Sequence, residues 1–160
     1  MQNAAATYTV RQLTTFLNTA ESQWLAVYDS SSNGAAIVIE GDEYRRLPLR
    51  YSTREKILAY FRRCWSPRLS EIMLCNLMPI SYKGRLYEIV ADPGPVPYKV
   101  VRLQIINQSA SEIRVRAVLT GSDEGNTTIR YTLSKSGKSL SIAARSDRTN
   151  DYRYAPCSKQ

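Results

Sequence analysis

Three cysteines and fourteen acidic residues are the side chains of this 160-residue chain that could do chemistry, because the sequence contains no histidine. Without an imidazole base, the Ser-His-Asp and Cys-His nucleophile systems cannot be built. Zinc hydrolase sites nearly always include a histidine ligand. Paired carboxylates remain as candidate acid–base groups, but the acids are few and stand in turn-like or strongly polar surroundings. The composition therefore favours a protein that binds, with no catalytic residue, metal or cofactor.

The three cysteines are Cys64, Cys75 and Cys157, and none belongs to a Cys-x-x-Cys pair, so a metal site has little support. A buried cysteine behaves as a small hydrophobic residue, and we expect buried free thiols. Cys64 and Cys75 lie on helical segments separated by a break, so a disulfide between them is the alternative. Cys157, near the end of the chain, is expected to be exposed and reactive.

The first half of the sequence has mainly helical periodicity. An apolar stripe at spacings of three and four residues predicts a helix over about residues 8–28, with Glu21 mostly off the stripe. A hairpin around Gly41-Asp42 is predicted next. Ser52 and Glu55 resemble a capping box at the start of a second helix, with Thr53 as the alternative cap. Ser66-Pro67 begins a third helix, and Met78-Pro79 ends it.

Beyond Pro79 the apolar period changes to two, which predicts strands. A hairpin around Lys83-Gly84 is followed by a stiff proline-rich loop and by strands over residues 98–107, 112–120, 127–134 and 139–144. Short turns make successive strands antiparallel neighbours. The prediction is an α+β fold in which N-terminal helices pack on a curled antiparallel meander formed mainly by the C-terminal half. We expect one domain over residues 1–160: a helical part (about 8–78), a sheet part (about 80–146) and a polar tail (147–160).

The net charge of +8 is unevenly distributed, because residues 45–68 hold eight basic residues and a single acid, Glu55. This basic block predicts a candidate site for an anionic partner such as teichoic acid or an acidic lipid surface, and the alternative is a solvated helix face. The solvent-exposed face of the sheet, with Arg102, Arg114, Arg116, Arg130 and Arg145, could extend the basic surface. Nucleic acid is not expected, since no nucleic-acid-binding motif accompanies the block. The candidate anion-binding residues are Arg45, Arg46, Arg50, Arg54, Arg62 and Arg63.

Several short motifs between residues 43 and 138 resemble the IseA-type family of inhibitors of bacterial cell-wall DL-endopeptidases. Their order along the chain, more than any one of them, carries the resemblance. The motifs are Tyr44-x-x-Leu47-Pro48, Ser52-Thr53-Arg54-Glu55-Lys56, Tyr60-Phe61, Lys83-Gly84-Arg85-Leu86-Tyr87, Ala91-Asp92-Pro93-Gly94 and Tyr131-x-Leu133-x-Lys135-x-Gly137-Lys138.

The resemblance implies a non-catalytic extracytoplasmic protein that inhibits or regulates a cell-wall peptidase of the NlpC/P60 type. It also implies an acidic inhibitory surface, whereas this chain is basic overall. A stiff protruding loop suits such a role, because it loses little entropy on docking. The candidate partner-binding loop, called the Pro-rich loop below, comprises Asp92, Pro93, Gly94, Pro95, Val96 and Pro97, and the alternative is a plain rigid crossover.

A different class of function stays open on fold analogy alone. Helices on a curled sheet also occur in NTF2-like and cystatin-like domains, some of which bind small ligands in a cavity. Here that cavity would be lined by Tyr44, Tyr60, Trp65 and Tyr131.

The cellular setting is the least constrained prediction. Residues 1–4 lack the basic and apolar parts of a signal peptide, so either the protein is cytoplasmic or a signal or anchor segment has been removed. No stretch approaches the ~18 to 20 apolar residues of a transmembrane helix. The family resemblance favours the extracytoplasmic setting, and the oligomeric state is not predicted.

Overall fold

The computed structural model describes residues 7–157. Residues 1–4 and the end of the predicted tail, residues 158–160, fall outside that range. The described chain has the predicted α+β organisation, with its helices before most of its strands. The helices are α1 (Val10–Asp29), α2 (Arg54–Phe61) and α3 (Pro67–Leu77); the strands are β1 (Ala36–Ile39), β2 (Asp42–Arg46), β3 (Ile80–Tyr82), β4 (Arg85–Ile89), β5 (Lys99–Gln108), β6 (Glu112–Ser122), β7 (Gly125–Ser136) and β8 (Ser139–Arg145).

Helix α1 begins at a reciprocal cap. The Thr9 hydroxyl accepts a hydrogen bond from the Gln12 amide at 3.1 Å, and the Gln12 side chain accepts one from the Thr9 amide at 2.9 Å. Five residues of the predicted apolar stripe are buried, while Val10 at its start is exposed. Glu21 is buried as well, so the prediction that it lies off the buried face is wrong.

Helix α2 is capped by Thr53, whose hydroxyl accepts a hydrogen bond from the Lys56 amide at 3.2 Å. The alternative cap is therefore confirmed, and the Ser52–Glu55 capping box is wrong. Ser52 ends a short 3₁₀ turn (Leu49–Tyr51) with helical dihedrals, whereas an N-cap needs the extended backbone that Thr53 has. Ser66 caps α3 as predicted, with Pro67 at its first position, and Met78 ends it in the left-handed conformation.

The two predicted hairpins join into one antiparallel sheet of order β1-β2-β4-β3. The first hairpin turns at Glu40-Gly41 rather than at Gly41-Asp42, because Asp42 already pairs with Ile39. Residues 44–46 of β2 pair with residues 87–89 of β4. The strands thus form two sheets, where the sequence predicted one.

The remaining strands form the predicted meander, in the order β5-β6-β7-β8. Its inner face, with Ile113, Val115, Ile129 and Leu133, is buried and belongs to the same hydrophobic core as α1. The outer face of β6 carries Arg114 and Arg116 at alternate positions. Residues 146–157 follow β8 without regular structure and pack back onto the core, where Tyr154 is fully buried. No helix within residues 7–157 is long and apolar enough to cross a membrane.

Candidate functional site

The Pro-rich loop connects β4 to β5 and so links the two sheets. Its first turn is closed by Asp92, whose carboxylate accepts a hydrogen bond from the Gly94 amide at 3.0 Å. Gly94 has a φ of 81°, a conformation that glycine adopts without strain. Val96 is buried, whereas Asp92 and Pro95 are exposed. The loop is thus anchored through Val96 and displays its other residues to solvent to different extents.

Three side chains donate hydrogen bonds to backbone carbonyls spaced three residues apart, one just before the loop and two within it. The Tyr28 hydroxyl donates to the Ala91 carbonyl at 2.8 Å, and the Tyr152 hydroxyl donates to the Gly94 carbonyl at 2.8 Å. Arg153 Nη2 donates to the Pro97 carbonyl, also at 2.8 Å. Proline lacks a backbone N–H and fixes its own φ, so these carbonyl contacts and the ring constraints together order the loop.

Arg153 belongs to a buried ion cluster, which we define as Glu21, Arg145, Asp151 and Arg153. The expectation that Arg145 extends the solvent-exposed basic face is wrong, because its side chain points into this cluster. Glu21 lies on α1 and contacts Arg145 Nε at 2.8 Å and Arg153 Nη2 at 2.9 Å. Asp151 contacts the Nη2 atoms of Arg145 and Arg153 at 3.2 and 2.9 Å. The two carboxylates balance the two guanidinium charges, which is how buried charges are tolerated.

Two tyrosines complete the hydrogen bonding of the cluster. The Tyr154 hydroxyl donates to Glu21 Oε1 at 2.9 Å, and the Tyr131 hydroxyl donates to Glu21 Oε2. Burial alone would raise the pKa of Glu21, but Arg145 and Arg153 outweigh it, so the pKa lies below its usual value. The pKa of Asp151 is lowered in the same way, against its own burial. Both carboxyls are therefore ionised at neutral pH.

The segment that supplies Asp151, Tyr152, Arg153 and Tyr154 is fastened to α3 by a disulfide between Cys75 and Cys157. Cys64 is a buried free thiol, as expected. The expectations of a free Cys75, of a Cys64–Cys75 disulfide and of a reactive Cys157 are wrong. The physical reason is the folding back of the tail, which brings together two cysteines 82 residues apart in sequence.

A groove of about 450 Å³ runs beside the Pro-rich loop and has an acidic lining. Pro95 and Pro97 form part of its wall, and the exposed carboxylates of Asp123, Glu124 and Asp147 form another part. No basic residue lines it among the residues described. Although the chain is basic overall, the groove beside the loop has an acidic lining.

The predicted anion-binding arginines are spread over β2, the 3₁₀ turn, the start of α2 and the two residues after it, and several already have partners. Arg45 contacts Glu43 at 3.0 Å, and Arg62 lies 3.7 Å from Glu71. Arg54 donates to the Pro79 carbonyl at 3.0 Å. Arg50 and Arg63 lie over the rings of Tyr51 and Tyr60, and Arg46 is exposed near the end of β2. Anion binding by this block stays a prediction.

The four aromatic residues predicted to line a cavity occupy different parts of the fold. Trp65 and Tyr131 are buried beside the ion cluster, since Trp65 packs on Tyr154 with ring centres 4.7 Å apart. Tyr60 contacts Tyr51 with the two rings tilted by 51°, and it borders a hollow of about 300 Å³. Tyr44 lies on β2, paired with Ile89. A ligand cavity lined by all four stays a prediction.

The residues that sequence reasoning missed are those that order the loop: Tyr28, Tyr152, Arg153 and, behind them, Glu21. Glu21 carried a usable signal, because it lies four residues after Leu17 and three before Trp24, on the buried face of α1. The tail carried none, since its residues are polar and have no periodicity.

Within the described part of the chain, no cluster of three or more histidine, cysteine or acidic side chains is arranged to hold a metal ion.

A loop that is already ordered through several of its carbonyls loses little conformational entropy if it binds a partner. The chain belongs to the IseA DL-endopeptidase inhibitor family, because the family model matches residues 7–142. The resemblance seen in the sequence motifs is thereby confirmed, and it implies a peptidase as the protein partner. No match was found among curated proteins. The tail that holds the loop lies beyond the matched residues.

Proposed function

We propose that this protein inhibits an extracytoplasmic cell-wall peptidase of the NlpC/P60 type by inserting its Pro-rich loop into the catalytic cleft. The observation that carries the proposal is the three-point anchoring of Ala91, Gly94 and Pro97. A loop already ordered in the free protein gives up little conformational entropy on binding. Membership of an endopeptidase inhibitor family supports inhibition of the peptidase rather than activation.

The acidic groove supports a target whose surface around the cleft is positively charged. Asp92, Asp123, Glu124 and Asp147 are exposed around the loop. Charges of one sign at a binding surface accelerate encounter with a surface of the opposite sign, and the effect weakens with salt. We therefore expect a target with basic residues around its cleft and inhibition that is stronger at low ionic strength.

The disulfide supports the extracytoplasmic setting. Disulfides form and persist mainly in oxidising environments and are rare in the cytosol. The Cys75–Cys157 bond fastens the segment that orders the loop, so it contributes to the proposed binding element.

The test is a titration of purified NlpC/P60 DL-endopeptidases on peptidoglycan with this protein. We expect loss of activity at stoichiometric amounts, and weakening of at least tenfold when residues 92–97 are replaced by a Gly/Ser loop of equal length. Full activity of several such enzymes in the presence of a large excess of folded protein would contradict the proposal.

The groove is tested by a pair of matched variants. Asp123→Asn/Asp147→Asn removes two groove charges, and asparagine tolerates the positive φ of 57° at position 147. Asp29→Asn/Asp42→Asn removes two exposed charges that do not line the groove. We expect the first variant to weaken inhibition at low salt by three- to tenfold and the second to leave it within twofold. Equal effects would show that only net charge matters.

A further inference from the structure

The outer face of the meander carries a concentrated group of arginines. We define the outer sheet face by Arg102 and Gln104 on β5, Arg114 and Arg116 on β6, and Thr128 and Arg130 on β7. Residues 102, 104, 114, 128 and 130 are exposed, and Arg116 is half-buried. The helices pack on the opposite, apolar face, so these side chains are not required by the core.

Two of these arginines lie directly opposite each other on neighbouring strands, and their repulsion destabilises the fold. Arg116 and Arg130 are direct cross-strand neighbours in the β6–β7 register. Like charges in that position repel one another. Arg116 has only Gln104 as a side-chain hydrogen-bond partner, at 2.9 Å, and Arg102 and Arg130 form no ion pair with any residue between 7 and 157. Arg114 alone contacts an acid, Glu112, at 2.8 Å. The fold therefore maintains a positive charge that it does not neutralise.

Two adjoining hollows of about 420 and 510 Å³ lie along this face. Arg116 borders both of them, with Arg114 and Arg130 at the first and Arg102 at the second. Neighbouring strands lie about 4.8 Å apart and alternate residues along a strand about 6.7 Å apart, which sets the scale of the arginine array. An extended chain with a negative charge at every repeat can contact several of these guanidinium groups at once. Gln104 and Thr128 offer hydrogen bonds to hydroxyl groups between the charges.

The residues that line the two hollows fit a phosphate polymer without bases better than a nucleic acid. Proteins that bind single-stranded nucleic acid combine a basic groove with aromatic side chains on which bases stack. The outward positions of β5, β6 and β7 named here carry no aromatic residue. Tyr131 borders the first hollow, but it is 2% exposed and its hydroxyl is bonded to Glu21 in the core. Arginine forms paired hydrogen bonds with phosphate, and no aromatic side chain at these outward positions offers a base a stacking platform.

We propose that the outer sheet face binds a phosphodiester polymer without bases, of the polyol-phosphate kind. No residue lines both this face and the acidic groove, so the polymer and a partner held by the loop use separate surfaces. The inference does not depend on peptidase inhibition.

The test measures binding of the full chain to a soluble poly(glycerol phosphate) by calorimetry across a range of salt concentrations. We expect affinity to fall with salt, with a log–log slope of about −1.5 to −3, as for two to four phosphate contacts. Arg116→Gln/Arg130→Gln should weaken binding at least tenfold. The matched control Arg46→Gln/Arg68→Gln removes the same charge from the basic block and should stay within twofold. Thermal unfolding of each variant checks the fold, and the single exposed substitution Arg130→Gln serves if the double variant is unstable.

Three results would overturn the inference. The first is salt-independent binding or no binding at low salt. The second is a greater loss in Arg46→Gln/Arg68→Gln, which would place the anion site in the basic block. The third is tighter binding of an oligo-dT of equal charge, which would indicate a nucleic-acid surface.

Discussion

Arg153 Nη2 donates to the Pro97 carbonyl at 2.8 Å while the same nitrogen contacts Glu21 Oε1 at 2.9 Å. The end of the Pro-rich loop is thus bonded directly to the buried ion cluster. Arg153 is fully buried, and its Nη1 also donates to the Glu21 carbonyl at 2.6 Å. A rigid interior network therefore sets the position of an exposed loop, which is a requirement for binding with little loss of entropy.

Removing the Tyr152 hydroxyl should loosen the Pro-rich loop while destabilising the whole fold only slightly. Tyr152→Phe loses the bond to the Gly94 carbonyl but keeps the ring against Trp24. We expect the free energy of unfolding to fall by about 1 kcal/mol and inhibition to weaken by three- to tenfold. Tyr8→Phe is the control, because the Tyr8 hydroxyl donates to the Lys138 carbonyl at 3.4 Å, away from the loop. Unchanged inhibition by Tyr152→Phe would show that the loop does not need this anchor.

Breaking the ion cluster should be costly. Glu21→Gln leaves Arg145 and Arg153 sharing the single carboxylate of Asp151, and removing one partner from a buried charge network costs about 3 to 5 kcal/mol. Glu112→Gln, which breaks the exposed pair with Arg114, should cost about 0.5 kcal/mol or less. Urea unfolding at pH 7 measures both. A Glu21→Gln variant as stable as Glu112→Gln would contradict the role of the cluster.

The disulfide should contribute strongly to stability because it closes a long loop. Cys75→Ser/Cys157→Ser opens a link across 82 residues, and the chain-entropy estimate for such a loop is about 4.5 kcal/mol. The native protein treated with dithiothreitol should match the double variant in urea unfolding, and both should inhibit more weakly. If reduction left stability unchanged, the tail would be held by its other contacts alone.

Glu88 should make the folded protein less stable as the pH rises above about 5. It is 1% exposed, its Oε2 lacks a hydrogen-bond partner within the described structure, and burial raises its pKa to about 9. Between about pH 5 and 9 the native state keeps a proton that the unfolded state has lost, so stability decreases as pH rises. Glu88→Gln removes this loss. The free energy of unfolding of Glu88→Gln minus that of the native protein should increase by about 2 to 4 kcal/mol between pH 5 and pH 8.5. If this difference did not change with pH, Glu88 would not be a buried neutral carboxyl.

Local patterns in the sequence predicted most of the secondary structure. The stripe of α1, the Ser66-Pro67 start of α3 and the Lys83-Gly84 turn all depend on neighbours within four residues, which the sequence displays directly. The choice between Ser52 and Thr53 was not predictable in the same way, because it depends on where the preceding 3₁₀ turn ends. The division of the strands into two sheets depends on the pairing of β2 with β4, about 40 residues apart.

The candidate site was only half predictable for a related reason. The Pro-rich loop is visible in the sequence because proline constrains the backbone locally. Its supports come from α1 and from the tail, and Arg153 lies 56 residues from Pro97. The acidic groove likewise joins Pro95, Asp123 and Asp147 from three connections, so a net charge of +8 gave no indication of it.

Blocking the catalytic cleft of a peptidase shows whether the Pro-rich loop occupies it. Binding of this protein would be measured by calorimetry to one inhibited NlpC/P60 peptidase, first native and then with its catalytic cysteine alkylated by a bulky reagent. We expect alkylation to weaken binding at least tenfold and the Gly/Ser loop variant to bind both forms equally weakly. Equal, tight binding of the native protein to both forms would contradict this expectation, because the loop would then lie outside the cleft.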